Sequence, residues 1–494
     1  MAPSVRGCDI MAPSDSERII SMAETASSKT SPDSTDKGKK NIDMTTGSPV
    51  RLILQFMLPL FLGNLFQQFY STADSMIVSR GLGVAAFAGV SATMMFNGLI
   101  LGFNNGMTNG LAIAVAQKYG AKDYEGIRKQ YAHNLLLSVI CAVILSAIGL
   151  LFGGAALRLL HTPADIFDYA LQYQQIIFLG ILCSMFYNFL ANTLRALGDS
   201  RSPFIYLLIA SGLNIVMDLV FVFLTPLGVR GAALATVLAQ GISALLCHRR
   251  ILKKMPFLSL KGFRFEPDRE MIRQSLGLGL PIGFQSSLIS LGGVAIQFAI
   301  NNMGTASIAA YAAAGKLEFF AIGPISAVSM AVATYTGQNF GAKKYRRILQ
   351  GLNQTLVLSL CLSAALGAVM WFVGKYLVML VIGSGASAEI LEKSQLFMRV
   401  HGVLYPILSI LLLYRLALQG MGHTMVPTIA GFMELGARIL SAFVIIPRLE
   451  FIGASIESPL SWILASIPVL TMWFIVRKDL VQKAAEEAIR PEEL

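Results

Sequence analysis

Beyond about residue 50, apolar residues run in long blocks and polar residues gather between them. In order, the blocks cover 52–79, 84–116, 132–157, 168–197, 203–225, 230–248, 272–301, 306–337, 350–381, 396–419, 425–446 and 453–475. Each holds about the 20 apolar residues that carry a helix across a hydrocarbon core of about 30 Å. The blocks are continuously apolar rather than alternating, which favours helices over the strands of a barrel. Twelve spans are therefore predicted, several long enough to tilt or to project beyond the bilayer.

The pattern also repeats. "AQKYGAKDYEGIRK" (116–129) matches "GQNFGAKKYRRILQ" (337–350), "GVAAFAGVSA" (83–92) matches "GTASIAAYAA" (304–313), and "LRALGDSRSP" (194–203) matches "LQGMGHTMVP" (418–427). The offset is 221–224 residues, half of the spanning region. Six spans per half is an even number, so both halves share one topology. Parallel repeats of this kind build two bundles about an axis along the membrane normal, with a cavity between them. The expected fold is an all-α polytopic membrane protein of twelve transmembrane helices in two six-helix bundles related by a pseudo-twofold axis. Its expected divisions are a disordered extension (1–47), an N-lobe (48–252), a cytoplasmic linker (253–270), a C-lobe (271–478) and a cytoplasmic tail (479–494). Met22 and Met44 are alternative starts within the extension.

Composition agrees. Of 494 residues, 55% are hydrophobic and 14% charged, against about 25% charged in soluble domains. The net charge of +11 comes from short loops, a pattern of orientation signals and contact with anionic lipid rather than of nucleic-acid binding. Lys118, Lys122, Arg128 and Lys129, the cluster 249–273, Lys343 to Arg347, and Arg477 with Lys478 all fall on one side, while the alternate loops carry little. The positive-inside rule then places both termini in the cytoplasm of a multi-pass protein of the inner (plasma) membrane. Five scattered cysteines, without metal-type spacing, read as small apolar residues rather than a disulfide framework. No structural metal is implied.

Within the spans, charge is rare. Asp74 is the only charged residue between Arg51 and Arg80, and Asp218 the only one between Arg201 and Arg230. Both spans run the same way, and each acid lies about 10 Å from the outer end at 1.5 Å per residue. Asn214 and Tyr70 lie one turn before Asp218 and Asp74, and Thr236 of the next span reaches the same depth. Such a cluster holds a proton or forms an oxygen-lined pocket for Na⁺ through Asp74, Asn214, Asp218 and Thr236. The bland alternative is that each acid caps a helix or bonds a buried Ser or Asn.

The second half lacks these acids: Ile296, Ala442 and Arg438 stand opposite Asp74, Asp218 and Asn214. It carries Lys316, Glu318, Arg415, and Glu434 with Arg438 at i,i+4 instead. These are expected to form packing ion pairs or a charge-sensing cavity wall, with Arg415 snorkelling. Gln67, Asn188, Gln285, Lys316, Glu434 and Arg438 are the candidate cavity residues.

"FQQFYSTADSMIVSRGLG" (66–83), "AQKYGAKDYEGIRK" and "LRALGDSRSP", with the duplication and the twelve spans, resemble the multidrug and toxic compound extrusion (MATE) family over about residues 50–478. The resemblance implies a V-shaped pair of bundles with alternating access. It also implies export of small amphipathic, often cationic, compounds against H⁺ or Na⁺, without a cofactor. Family members of the prokaryotic type carry a functional Asp in span 1, an Asn and Asp in span 5 and a Thr in span 6. These fall on Asp74, Asn214, Asp218 and Thr236. One branch adds acids in spans 7 and 10, where this chain reads "GLPIGFQSSLISLGG" and "YPILSILLLYRLALQG" with Gln285 and no acid. The pattern is more similar to the DNA-damage-inducible protein F-like branch. The expected unit is a monomer in lipid, not an enzyme. Two alternatives are a lipid-linked oligosaccharide flippase, which calls for cationic cavity residues, and an intramembrane prenyltransferase, which calls for clustered carboxylates for Mg²⁺.

Overall fold

The apolar runs are helices in a computed structural model of the protein, which describes residues 41–383 and 387–489. The folded body begins at Ile42. Helix α1 (Pro49–Leu82) opens with proline in its first turn, where no backbone donor is lost, and ends at Gly83, whose φ of 87° suits glycine. Helices α2 (Val84–Ala92) and α3 (Met94–Gly120) follow in line. Helix α4 (Tyr124–Leu159) is capped by Asp123, whose carboxylate accepts from the Gly126 N–H at 2.8 Å. Helices α5 (Ala164–Leu179) and α6 (Ile181–Ala196) make one crossing bent by 48°. Helices α7 (Arg201–Phe223) and α8 (Val229–Lys254) complete the first bundle.

The second bundle comprises α9 (Arg269–Asn301), α10 (Thr305–Gly341), α11 (Tyr345–Ile382), α12 (Ala388–Gly420), α13 (Met425–Leu440) and α14 (Ile446–Ile489). Among the described residues ten helices are long and apolar enough to cross a membrane, and the bent pair adds an eleventh. The tenth of these is the stretch Met425–Glu487, 63 residues. At 1.5 Å per residue it would run about 95 Å, three times the hydrocarbon core. It breaks at Glu450, where φ is 49° and ψ −130°, and so supplies two crossings. The described residues therefore make twelve. The two most apolar helices, α4 and α11, bury least: in α4, Ile140, Val143, Ile144, Leu151 and Phe152 are exposed, as lipid-facing side chains are.

Two expected boundaries differ. The expected disordered extension lies outside the described residues up to residue 40, but the chain is anchored at Met44. Met44 is buried, its N–H donates to Gln338 Oε1 at 3.0 Å, and its carbonyl accepts from Asn339 Nδ2 at 3.0 Å. A buried apolar side chain and satisfied backbone groups hold this short segment in place. At the other end, α14 continues as helix to Ile489, through most of the expected tail.

The lobes meet through small residues. Gly102, Gly106 and Gly110 form one stripe of α3 that lies directly on the α9 backbone. A Cβ at Gly106 would stand 2.4 Å from the Ile282 carbonyl oxygen, and one at Gly110 2.5 Å from that of Leu278. At the end bearing the basic loops, α3 crosses α10. A Cβ on Gly120 would lie 1.8 Å from the Gln338 carbonyl oxygen, and one on Gly341 would lie 1.8 Å from that of Gln117. Those four residues correspond pairwise at the 221-residue offset, so the repeat is visible as a reciprocal contact. Gln117 Nε2 donates to the Gly420 carbonyl at 3.0 Å and Gln338 Nε2 to that of Ala196 at 2.8 Å, closing this end. Toward the other end each lobe packs on itself. Gly89 of α2 rests on Tyr169 of α5, and Phe298 of α9 meets Phe443 beyond α13. The lobes thus form a V with its apex at the basic loops.

Candidate functional site

Helix α1 carries Gly63, Asp74 and Gly81 at spacings of 11 and 7 residues, about three and two turns, so all three share one face. Gly63 lies against Phe204 and Leu207, and Gly81 against Val222, so that face rests on α7. On α7, Leu207, Ser211, Asn214, Asp218 and Val222 form the opposing stripe. Packing glycine against this stripe brings Asp74 to Asp218, within hydrogen-bonding reach of each other. Asp218 and Asn214 are fully buried. Tyr70, Asn214 and Thr236 line one small cleft with Ser211 and Gln240. The five residues expected to cluster are therefore neighbours.

Four of this cluster's acceptor oxygens are reached by no donor. Asp74 Oδ1, both Asp218 oxygens and Asn214 Oδ1 are buried without a hydrogen-bond partner. Two carboxyl groups in contact require a proton between them or a cation beside them. The donor set fits either, since Asp74, Asp218, Asn214 and Thr236 supply only oxygens toward a hard cation. Tyr173 of α5 joins the group, its hydroxyl beside that of Thr236 and in the field of both acids. Nothing charged or repeated in the sequence marks Tyr173.

A second site lies at the apex of the V. A cavity of about 260 Å³ is lined from both lobes. Its apolar wall includes Phe56, Leu60, Ile113, Ile282, Met330 and Leu412. Its polar wall includes Asn109, Asn192, Arg195, Gln285, Arg415 and Gln419. Gln285 is where the candidate cavity residues were expected, held by its bond to the Pro427 carbonyl (2.8 Å) and by accepting from Gln419 (2.7 Å). Gln67 lines a separate cleft with Tyr70 and Phe319. Asn188 and Lys316 line neither, and Lys316 is exposed.

Comparison with known proteins sorts these features. A family model described as MatE matches residues 59–220 and 281–444, one segment per lobe. The chain belongs to the MATE family. Among MATE relatives, the probable multidrug resistance protein YpnP of Bacillus subtilis is 30% identical over 347 residues, which is 69% of this chain and 77% of that one. The probable multidrug resistance protein NorM of Thermotoga maritima is 24% identical over 409 residues, 81% and 87% of the two chains. A crystal structure of MATE in the bent conformation superposes with a TM-score of 0.81 at 22% identity, covering 91% of this chain and all of that one. This MATE chain is accordingly a membrane transporter of the efflux type and not an enzyme, and MATE transporters need no cofactor.

The second-lobe charges of this MATE protein form interhelical ion pairs, an arrangement among those expected, but Arg415 and Glu434 are placed differently from expectation. Arg415 does not snorkel: it is buried, lines the apex cavity and is paired through Nη2 with Glu434 of α13. Glu434 therefore turns to α12 and not to Arg438 one turn away. An interhelical guanidinium already lies in its direction, whereas Arg438 extends to the Ile289 carbonyl (2.8 Å) and toward Glu457, 4.0 Å away. Glu318 is paired with His401, which is packed between Phe397 and Trp462. In the sequence Arg195 stands out only as part of the repeated motif at 194–203. Its signal was Asn192, three residues earlier on the same face, whose Oδ1 accepts from Arg195 Nη1 at 2.8 Å.

Proposed function

We propose that the protein is a secondary active antiporter that exports small amphipathic compounds in exchange for H⁺ or Na⁺ bound between Asp74 and Asp218. The observation carrying this is the pair of neighbouring carboxyl groups, three of whose four oxygens are buried without a donor. In a membrane, acids without a fixed cation mark ion pathways. The basic loops are assigned to the cytoplasm, which puts both termini there and makes the V an outward-facing state.

Helix α1 links the ion to the cargo. Its outer half holds Asp74 against α7, while Phe56 and Leu60 of its inner half line the apex cavity on either side of Pro59. Pro59 removes one backbone bond, giving the helix a place to bend. Ion binding from outside relieves the repulsion between the acids, α1 repacks on α7, and the wall at Phe56 and Leu60 moves. One chain supplies both lobes, so the working unit is a monomer surrounded by lipid. The names of the relatives, multidrug resistance proteins, support a broad range of amphipathic cargo. The flippase alternative gains Arg195 and Arg415 in the cavity but leaves the acid pair without a task.

Proteoliposomes loaded with amphipathic fluorescent dyes test this, with H⁺ and Na⁺ gradients imposed separately. One gradient drives dye flux in the wild type, and Asp74→Asn abolishes it while the protein still inserts at normal level. Wild-type flux from Asp74→Asn overturns the proposal. Asn214→Ala distinguishes the ions: it weakens Na⁺-driven flux, which needs its oxygen, and spares flux driven by H⁺, which needs only the acid pair.

A further inference from the structure

The apex cavity carries one fixed positive charge, that of Arg195, which no carboxylate neutralises among the described residues. Arg195 ends α6 in the first lobe, and Arg415 lies on α12 in the second, yet both line the same cavity. A guanidinium stays protonated in proteins and presents five N–H donors. Arg195 uses one, Nη1, on the neutral Asn192 oxygen, and Asn192 is itself fixed by donating to Thr108 Oγ1 at 3.2 Å. No carboxylate is paired with Arg195 among the described residues; the nearby Asp199 is engaged by Arg250 at 3.0 Å. Arg415 gives Nη2 to Glu434. The Nε of each arginine is buried and without a partner, and Arg415 itself is only 5% exposed. The remaining polar wall, Asn109, Gln285 and Gln419, is uncharged.

We propose that the apex cavity binds an amphipathic anion, its carboxylate or phosphate held by Arg195 and Arg415 and its apolar body by Phe56, Leu60, Ile282 and Met330. This rests on the antiport reading above and names the charge class of its cargo. A cationic compound would meet the unpaired charge of Arg195, whereas an oxyanion matches the geometry and hydrogen-bonding of that guanidinium and of the Arg415 donors that Glu434 leaves free. A volume of about 260 Å³ is at the small end for drug-sized ligands and accepts a compact body of one or two rings. The two arginines come from different lobes, so the anion ties together the two parts that must separate during transport.

Dansylglycine and dansylcadaverine carry one fluorophore with opposite charge, and their binding to the detergent-purified full chain tests the proposal. The anion is expected to bind about tenfold tighter than the cation, and Arg195→Gln to remove that preference while Arg195→Lys keeps part of it. Because Arg415→Gln alone strands Glu434, the second arginine is probed by R415Q with E434Q together, with the same expected loss. Asp74→Asn retains dansylglycine binding but loses its gradient-driven flux in proteoliposomes. Equal or tighter binding of dansylcadaverine, or an Arg195→Gln protein with unchanged preference, overturns the anion assignment. Phosphatidylglycerol vesicles that displace dansylglycine, with no flux of dansylglycine itself, assign the cavity to lipid headgroup phosphate and overturn it as a cargo site. Absence of gradient-driven flux for both dyes counts against the antiport reading and leaves the binding result standing.

Discussion

In the first lobe Asp74 and Asp218 face each other with no basic partner; in the second, Glu434 is held by Arg415 and Glu318 by His401. Both lobes bury carboxylates, and both descend from one repeated pattern, so the contrast isolates the role of the partner. An acid tied to a fixed guanidinium is neutralised once and for all, and its contribution is to hold two helices in register. An acid tied only to another acid must be neutralised by something that arrives and leaves. The lobe with the unsatisfied acid pair is the one suited to exchange; in the other the Arg415–Glu434 pair suits rigidity, although Glu457 keeps one buried oxygen without a hydrogen bond, 4.0 Å from Arg438.

That contrast is open to direct attack. Glu434→Gln leaves the buried Arg415 charge uncompensated and is expected to cost about 3–5 kcal/mol of stability, with most of it recovered when Arg415→Gln is added. Thermal melting in detergent checks this, and an unchanged midpoint for Glu434→Gln removes the structural role given to the second lobe. Gly120→Ala and Gly341→Ala each drive a methyl into a carbonyl oxygen, an overpacking of about 1–3 kcal/mol that loosens the seal. Their signature is raised cysteine labelling of residues at the closed end. Asp218→Asn is expected to shift stability least, within about 1 kcal/mol of wild type, because the amide satisfies acceptors that were orphaned. Gradient-driven flux is nevertheless lost. A large destabilisation by Asp218→Asn, with flux intact, would reverse the assignment of roles between the lobes.

Much of this was readable in the residues themselves. The apolar blocks fixed the number of crossings because a hydrocarbon core demands a set length. Even the two breaks, at Gly180 and Glu450, fall within or between blocks already counted. The Asp74–Asp218 cluster was readable because helical period and depth are one-dimensional quantities. What sequence spacing does not carry is which way a side chain turns when two partners compete. Glu434 sits one turn from Arg438, yet it pairs with Arg415 across the helix interface. Arg195 sits at the end of a span, where arginine ordinarily snorkels to headgroups, and only the opposing lobe turns its surroundings into a cavity wall. Tyr173 joins the acids from within the uncharged polar run Gln172 to Gln175, which lies outside the helix carrying either acid.

The crossing of Gly120 on Gln338 and Gly341 on Gln117 has the form of an isologous contact, the same patch meeting itself as in a twofold dimer, but made within one chain. Each half serves as a control for the other. A methyl added at 120 and one added at 341 are the same perturbation delivered to opposite sides of the axis. Any inequality in how far each variant opens the closed end measures, in one number, how much mechanical symmetry survives in a molecule whose ion chemistry is one-sided.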